Sequence, residues 1–437
     1  MTARDVAIEA LVRVDDGAYS NLLLPTLLRG SGLEPRDRAF ATELVYSTLR
    51  EQRILDHLLA PLLTRPLDGL DPDVRAALRV GAHQLRAGVA AHAAVGETVT
   101  AIGRRNPRSK GFVNAVLRRL AASGPPWVLP DGGDIASLAI RTSHPDWIVE
   151  RLVEDLGSVD ATAVLASDNR VPAVTLRVNP LRTDPAVLAD ELRAAGIGVE
   201  RGVLLSDALV VTGVGDLAAL PAVAEGRATP QDQASQAVVA ALDPRPGERV
   251  LEIAAAPGGK TTAIAERLGA GPSGGTVIGL DLNPGRVARI AEAAARLRLE
   301  RLHPLVADGL ALPFRPGSFD RVLLDAPCSG LGVLRRRPEA RWRLEPDAPE
   351  LLAALQRDLL RAAATALRPG GVLVYSVCTL TAIETLGVDE WAAAELPGLV
   401  AVPPPGAPWQ PLGRGARLLP GAADTDGMFV LRLHSLG

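Results

Sequence analysis

From about residue 226 onward, short aliphatic runs alternate with amphipathic helical stretches, and this alternation constrains the fold more than any other feature. Arg249 to Ile253 reads as a short buried strand, followed by a glycine-rich turn and a helix through Leu268. Thr276 to Leu280 is the next strand and Pro284 to Leu297 the next helix. Further strands are expected at Leu302 to Val306, Arg321 to Leu324 and Gly371 to Tyr375, with a long helix over Leu351 to Leu367 before the last. Such a pattern builds a parallel sheet wrapped by helices, whose ligands sit beyond the carboxyl ends of the strands.

The chain has 437 residues, too many for one ordinary core. Residues 1 to about 123 read as all-helical, with apolar positions three and four apart in Ala7, Leu11 and Val14, and again in Val113, Val116, Leu117 and Leu120. A Gly/Pro-rich linker spans 123–133. A helix then starts near Pro145, and strands at Val174 to Val178 and Ala208 to Thr212 flank a helix over Pro185 to Ala195. The expected domains are therefore a helical bundle over 1–125, a helical linker with a small α/β unit over 135–225, and an α/β catalytic unit over 226–437.

With 47% hydrophobic and 22% charged residues, the composition is that of a globular chain. No apolar run reaches the roughly 18 residues of a membrane span, and the first residues lack a signal peptide's pattern, so a cytoplasmic protein is expected; a monomer is expected too, although no sequence feature fixes the oligomeric state. Two cysteines cannot form a disulfide framework, and the six histidines lack metal-ligand spacing, so no metal is expected. Basic residues concentrate over 86–119, where Arg104, Arg105, Arg108, Lys110 and Arg118 suit an RNA-phosphate surface.

Ala254, Ala255, Ala256, Pro257, Gly258, Gly259 and Lys260 form a small-residue turn between a strand and a helix. Such a turn lets a ligand approach the backbone and meet free N–H groups. Asp281, Asp308 and Asp325 each fall at or just past the end of a following strand. Acidic groups there suit the hydroxyls and amino group of a nucleoside, and they favour a cationic cofactor. A G-x-G-x-x-G dinucleotide fingerprint is absent, and a P-loop is excluded because no glycine stands five residues before Gly259.

The only two cysteines, Cys328 and Cys378, both lie at strand ends of the same sheet. That pairing meets a specific chemical need. Carbon 5 of cytosine becomes nucleophilic towards a sulfonium methyl group only after a thiolate adds to carbon 6, and a second group must then help release the enzyme. One cysteine as nucleophile and one to assist release satisfies both demands. Asp325 is placed to stabilise the adduct through the ring edge, Lys260 to bring a compact positive charge, and the base must be unstacked to reach either sulfur. Arg335, Arg336, Arg337, Arg341 and Arg343, with Trp342, follow Cys328 and suit phosphate contact and base stacking.

These motifs resemble the RNA cytosine-5 methyltransferases of the NOL1/NOP2/Sun family: 255–261, Asp281, 307–309, 325–330 and 375–379 match in order and spacing. The resemblance implies a Rossmann-like class I fold that binds S-adenosylmethionine through Ala254 to Lys260, Asp281, Asp308 and Asp325. It also implies that Cys378 is the nucleophile and Cys328 assists release. Residues 111–118 and their helical surroundings resemble a NusB-like RNA-binding domain, which implies small-subunit ribosomal RNA as substrate. The chain departs from the family's pattern at Val377 and Thr379, around Cys378, and at Ile383, Glu384 and Thr385, where an acidic-Asn-acidic group is usual. Competing readings are a transfer-RNA methyltransferase, an enzyme with Cys328 as nucleophile in the manner of DNA cytosine methyltransferases, and a non-catalytic RNA-binding assembly factor.

Overall fold

The computed structural model describes residues 1–271 and 273–436. They divide into two compact units: Met1–Arg170 with Leu334–Leu344, and the rest of the described chain from Val171 onward. Among the described residues no helix is long and apolar enough to cross a membrane.

The first unit is helical, with α1 (Ala3–Asp15), α2 (Ser20–Gly30), α3 (Pro35–Arg50), α4 (Gln52–Leu59), α5 (Pro72–Arg86), α6 (Ala91–Arg105) and α7 (Lys110–Ser123). A capping box between Thr2 and Asp5 starts α1, whose Val6, Ala7, Leu11 and Val14 enter the common core with Leu44, Leu78, Val116 and Leu117. Helices α8 (Ile135–Thr142), α9 (Asp146–Leu156) and α10 (Ser158–Ser167) also belong here, although the sequence pattern groups them with the α/β region. Arg53 on α4 explains the difference. Its backbone N–H donates to Ser143 Oγ at 3.0 Å and its guanidinium to the His144 carbonyl at 2.7 Å and Asp146 at 2.8 Å.

The segment Leu334–Leu344 departs from its expected place at an RNA surface. Arg335 and Arg341 are fully buried and are not available to RNA phosphates. Instead the segment supplies donors to carbonyls at the carboxyl ends of helices, where intrahelical partners run out. Arg341 donates to the carbonyls of Ser143 and Asp168, the C-caps of α8 and α10, at 3.0 and 3.2 Å. Trp342 Nε1 donates to the Leu49 carbonyl at 2.9 Å and Arg343 to that of Val14 at 2.7 Å, in the last turns of α3 and α1. Arg343 also bonds the Ala18 carbonyl and lies over the Tyr19 ring. Arg337 remains exposed and Arg336 half-buried.

The second unit begins with β1 (Val174–Val178), α11 (Pro185–Ala194), β2 (Gly198–Arg201), β3 (Ala208–Thr212), α12 (Pro221–Ala224) and β4 (Ala228–Pro230). Its strands form an antiparallel sheet in the order β2-β3-β1-β4, packed on α11 through Leu176, Leu188, Leu192 and Leu209. Then follow α13 (Gln233–Leu242), β5 (Arg249–Ile253), α14 (Gly259–Leu268), β6 (Thr276–Asp281), α15 (Pro284–Leu297), β7 (Leu302–Val306) and β8 (Phe319–Asp325). The chain continues through α16 (Ala348–Ala366), β9 (Leu367–Val377), α17 (Leu386–Glu395), β10 (Leu399–Ala401), β11 (Gln410–Leu412), β12 (Gly415–Leu418) and β13 (Met428–Ser435).

The large sheet runs β11-β12-β13-β9-β8-β5-β6-β7, with β10 beside β13. Strands β5 to β9 pair in parallel, and β13 joins β9 antiparallel. The order of strand addition reverses at β5, which lies between β6 and β8, so the crevice at its carboxyl end is the expected ligand site. Register then brings Ile253 level with Leu280 and Leu324, and Asp325 level with Ser376.

Candidate active site

The turn after β5 is shaped for close approach. Ala254 has φ +58° and Gly258 +99°, and a Cβ on Gly258 would lie 3.2 Å from the Ile290 Cα on α15. Gly258 caps α14 without a side-chain bond, which leaves the helix's first N–H groups open at the crevice. Asp281, buried at the end of β6, accepts from the Ala256 and Asn283 N–H groups at 3.2 and 3.1 Å and thereby fixes both turns. Arg286, which the sequence reading missed, pairs with Asp281 at 3.4 Å and donates to the Ala256 carbonyl at 2.9 Å. Asp308 is exposed beyond β7, and its carboxylate accepts from the Leu310 N–H at 2.9 Å.

Lys260 Nζ donates to Asp325 Oδ2 at 2.6 Å, and Ser376 Oγ donates to the other oxygen at 2.8 Å. Burial alone would lower the Lys260 ammonium, but Asp325, Glu252 and Cys378 raise it above its ordinary value. Behind the pair lies Glu252 on β5, a residue no motif singled out. Burial pushes its carboxyl up to about 8, helped by the Asp325 charge and opposed by Thr261 and Lys260.

The two sulfurs lie 3.4 Å apart, each half-buried. The hydrogen bond to Cys378, then burial, then the Cys378 charge hold the Cys328 thiol well above its ordinary value, with Glu384 and Asp325 adding to the effect. Gly332 ties the two loops together. Its N–H donates to the Cys378 carbonyl at 3.0 Å, and a Cβ there would fall 2.5 Å from the Gly427 carbonyl oxygen. A further residue missed in the sequence is Arg177 on β1. It chelates Glu266 on α14 at 2.8 and 2.9 Å and donates to the Gly259 carbonyl at 2.7 Å.

The basic candidates on the helical unit separate into two groups. Arg104 is held by Asp5 at 2.8 Å, and Arg105 by Glu9 at 2.8 Å and Asp73 at 2.7 Å. Arg108, Lys110 and Arg118 are exposed, as is Phe112, and Arg118 donates to Asn114 Oδ1 at 3.1 Å.

Comparison with known proteins sets this geometry in a family. Residues 239–434 match the family described as 16S rRNA methyltransferase RsmB/F, residues 1–122 the NusB family, and residues 144–218 the ferredoxin-like domain of RsmF/B-like methyltransferases. The ribosomal RNA small subunit methyltransferase B of Pseudomonas syringae is 35% identical over 99% of this chain and 97% of its own length. That of Thermus thermophilus is 39% identical over 89% of this chain and 86% of its own. The crystal structure of PH0851 has a TM-score of 0.86 at 27% identity and covers 99% of each chain. A methyltransferase homolog protein from Pyrococcus horikoshii has a TM-score of 0.60 at 25% identity, covering 70% of this chain and 100% of its own. S-adenosylmethionine is the cofactor of such a methyltransferase. The open first turn of α14 and the acidic strand ends at Asp281, Asp308 and Asp325 fit its nucleoside and its cationic centre. A NusB-like helical domain, a ferredoxin-like unit and a methyltransferase sheet, matched by relatives from end to end, place this chain in the 16S rRNA methyltransferase RsmB/F family.

Proposed function

We propose that the chain methylates carbon 5 of a cytosine in small-subunit ribosomal RNA, with Cys378 as the nucleophile and Cys328 as the group that completes release. The observation that carries this reading is the sulfur pair, 3.4 Å apart beside the Lys260–Asp325 ion pair at the crevice. Ala254 to Lys260, Asp281 and Asp308 would hold S-adenosylmethionine, which when bound would supply an electrophilic methyl group on a sulfonium centre.

The Cys378 thiolate forms the S–C6 bond and moves the C5–C6 electron pair onto carbon 5, the atom that gains the methyl group. Asp325, oriented by Lys260 and Ser376, meets the ring's N3/N4 edge and stabilises the adduct. Cys328 keeps its proton while Cys378 is an anion beside it, because the bond to Cys378 and its charge are leading causes of the high Cys328 value. Once Cys378 is a neutral thioether those two causes vanish, and the Cys328 proton passes to water against the remaining opposition of burial and of the Glu384 and Asp325 charges. Its thiolate then takes the C5 proton, the C5–C6 double bond re-forms, and the S–C6 bond breaks to return the Cys378 thiolate.

The test uses labelled S-adenosylmethionine, unmodified small-subunit ribosomal RNA and denaturing gels. Cys328→Ala should trap methylated RNA on the protein, and Cys378→Ala should form no complex. The reversed trapping pattern would overturn the nucleophile assignment. A wild-type protein that labels no RNA would overturn the activity.

A further inference from the structure

Glu384 is a fully buried carboxylate on the turn between β9 and α17, six residues beyond Cys378, to which the chemistry above gives no part. Its Oε1 accepts from the Ser329 N–H at 2.8 Å and from Gln356 Nε2 at 3.0 Å. Its Oε2 accepts from the Ser329 hydroxyl at 2.5 Å and the Thr381 hydroxyl at 2.8 Å. The Thr379 hydroxyl lies 3.2 Å from the same oxygen and 2.7 Å from Ser329 Oγ. Ser329 follows Cys328 and Thr379 follows Cys378, so the residues next to both sulfurs converge on one carboxylate.

Gln356 on α16 extends the same network. Its second N–H donates to the Pro327 carbonyl at 2.8 Å, on the other side of Cys328. The Tyr375 hydroxyl lies 2.9 Å from Gln356 Oε1 and 2.7 Å from the Glu384 carbonyl oxygen. Both cysteine loops are thus bonded on their flanks to Glu384 or to its direct partner.

A buried carboxylate is expensive unless several donors compensate it, and apolar packing of the same volume would hold the two loops together at less cost. What a carboxylate adds is direction: two oxygens, each taking donors from fixed positions on separate loops. Sulfur spacing is the quantity that such direction controls, because the thiols sit one residue from the anchored groups.

We infer that Glu384 is a positioning residue that sets the Cys328–Cys378 spacing for the addition and release steps. The inference rests on the cytosine reading given above. Glu384 touches neither substrate nor cofactor; it acts through Ser329 and Thr379. Glu384→Gln is the direct perturbation, since a carboxamide turns an NH2 group towards donors that now meet oxygen.

The experiment compares wild type, Glu384→Gln and Glu384→Asp in three measurements. These are the Kd for S-adenosylmethionine by calorimetry, single-turnover methyl transfer with its KM for RNA, and the rate of adduct formation on RNA carrying 5-fluorocytidine, whose fluorine blocks release. Glu384→Gln should bind cofactor and RNA as wild type does, while transfer and adduct formation each slow about 30-fold, the scale of a small misplacement of reacting groups. Glu384→Asp keeps the charge and should recover part of that loss. Should Glu384→Gln fail to fold, Thr381→Val and Ser329→Ala each remove one hydroxyl donor and should slow adduct formation several-fold at unchanged cofactor affinity. Wild-type adduct rates in these variants, or a loss of cofactor affinity matching the loss of rate, would overturn the positioning role alone. A wild-type protein that forms no adduct would overturn the cytosine reading and this inference with it.

Discussion

Replacing Arg177 with methionine leaves the Glu266 carboxylate buried without its cation. The side chains are 8% and 2% exposed, and the guanidinium makes bonds of 2.8 and 2.9 Å to the two carboxylate oxygens. Breaking a buried pair from one side costs about 3–5 kcal/mol, most of it the stranded charge. Replacing both partners, as in Arg177→Met with Glu266→Leu, removes that charge. The remaining cost is the loss of donors to Thr262, Gln231 and the Gly259 carbonyl, about 1 kcal/mol for each group left unsatisfied. The double variant should therefore be no less stable than Arg177→Met, and the cycle should show a coupling of about 2 kcal/mol or more. Because the chain has two units, hydrogen exchange at the α14 amides is the appropriate assay, reading local stability without assuming a single global transition. Cofactor affinity should weaken in Arg177→Met, since the first turn of α14 borders the crevice. Additive single and double effects would refute the claim that the ion pair anchors this helix.

Two further outcomes follow from the helical unit. His83 lies 2.8 Å from both Glu43 and Glu51; burial alone would lower its imidazolium, but the two carboxylates raise it to about 9. The stability it contributes is full below about pH 6.5 and lost as pH rises through about 9, so wild type should exceed His83→Gln by up to about 3 kcal/mol at pH 6. A wild-type minus variant difference in thermal unfolding that stays flat from pH 6 to 10 would refute this. Replacing Arg108, Lys110 and Arg118 with glutamine should weaken RNA binding across sequences and flatten the salt dependence by about one unit of slope per lost phosphate contact. An unchanged slope in filter binding would remove these residues from the RNA surface.

The parallel strands were readable because a strand buried on both faces reads as a near-continuous apolar run, broken only by Glu252 between Val250 and Ile253 and by Gly279 between Val277 and Leu280. The cysteines were readable for a chemical reason, being scarce residues at strand ends whose reactivity has few substitutes. The antiparallel strands β10 to β12 were not, because strands of three or four residues among prolines and glycines carry little periodicity, and the longer β13, buried between β12 and β9, was not placed from the sequence either. The Arg335–Arg343 segment and Glu384 show a deeper limit, with one cause behind both. Arg341 finds its carbonyls on residues 198 and 173 positions away, and Glu384 takes two donors from a serine 55 positions away. A guanidinium satisfies a helix's unpaired carbonyl as well as it satisfies a phosphate, so charge alone cannot separate a strut from a ligand contact. A carboxylate without a cation in its motif likewise looks like a surface residue until its donors are known. Residue type thus announces chemistry where the reacting atoms must be of one kind, and loses that power where any donor or acceptor of the right geometry will serve.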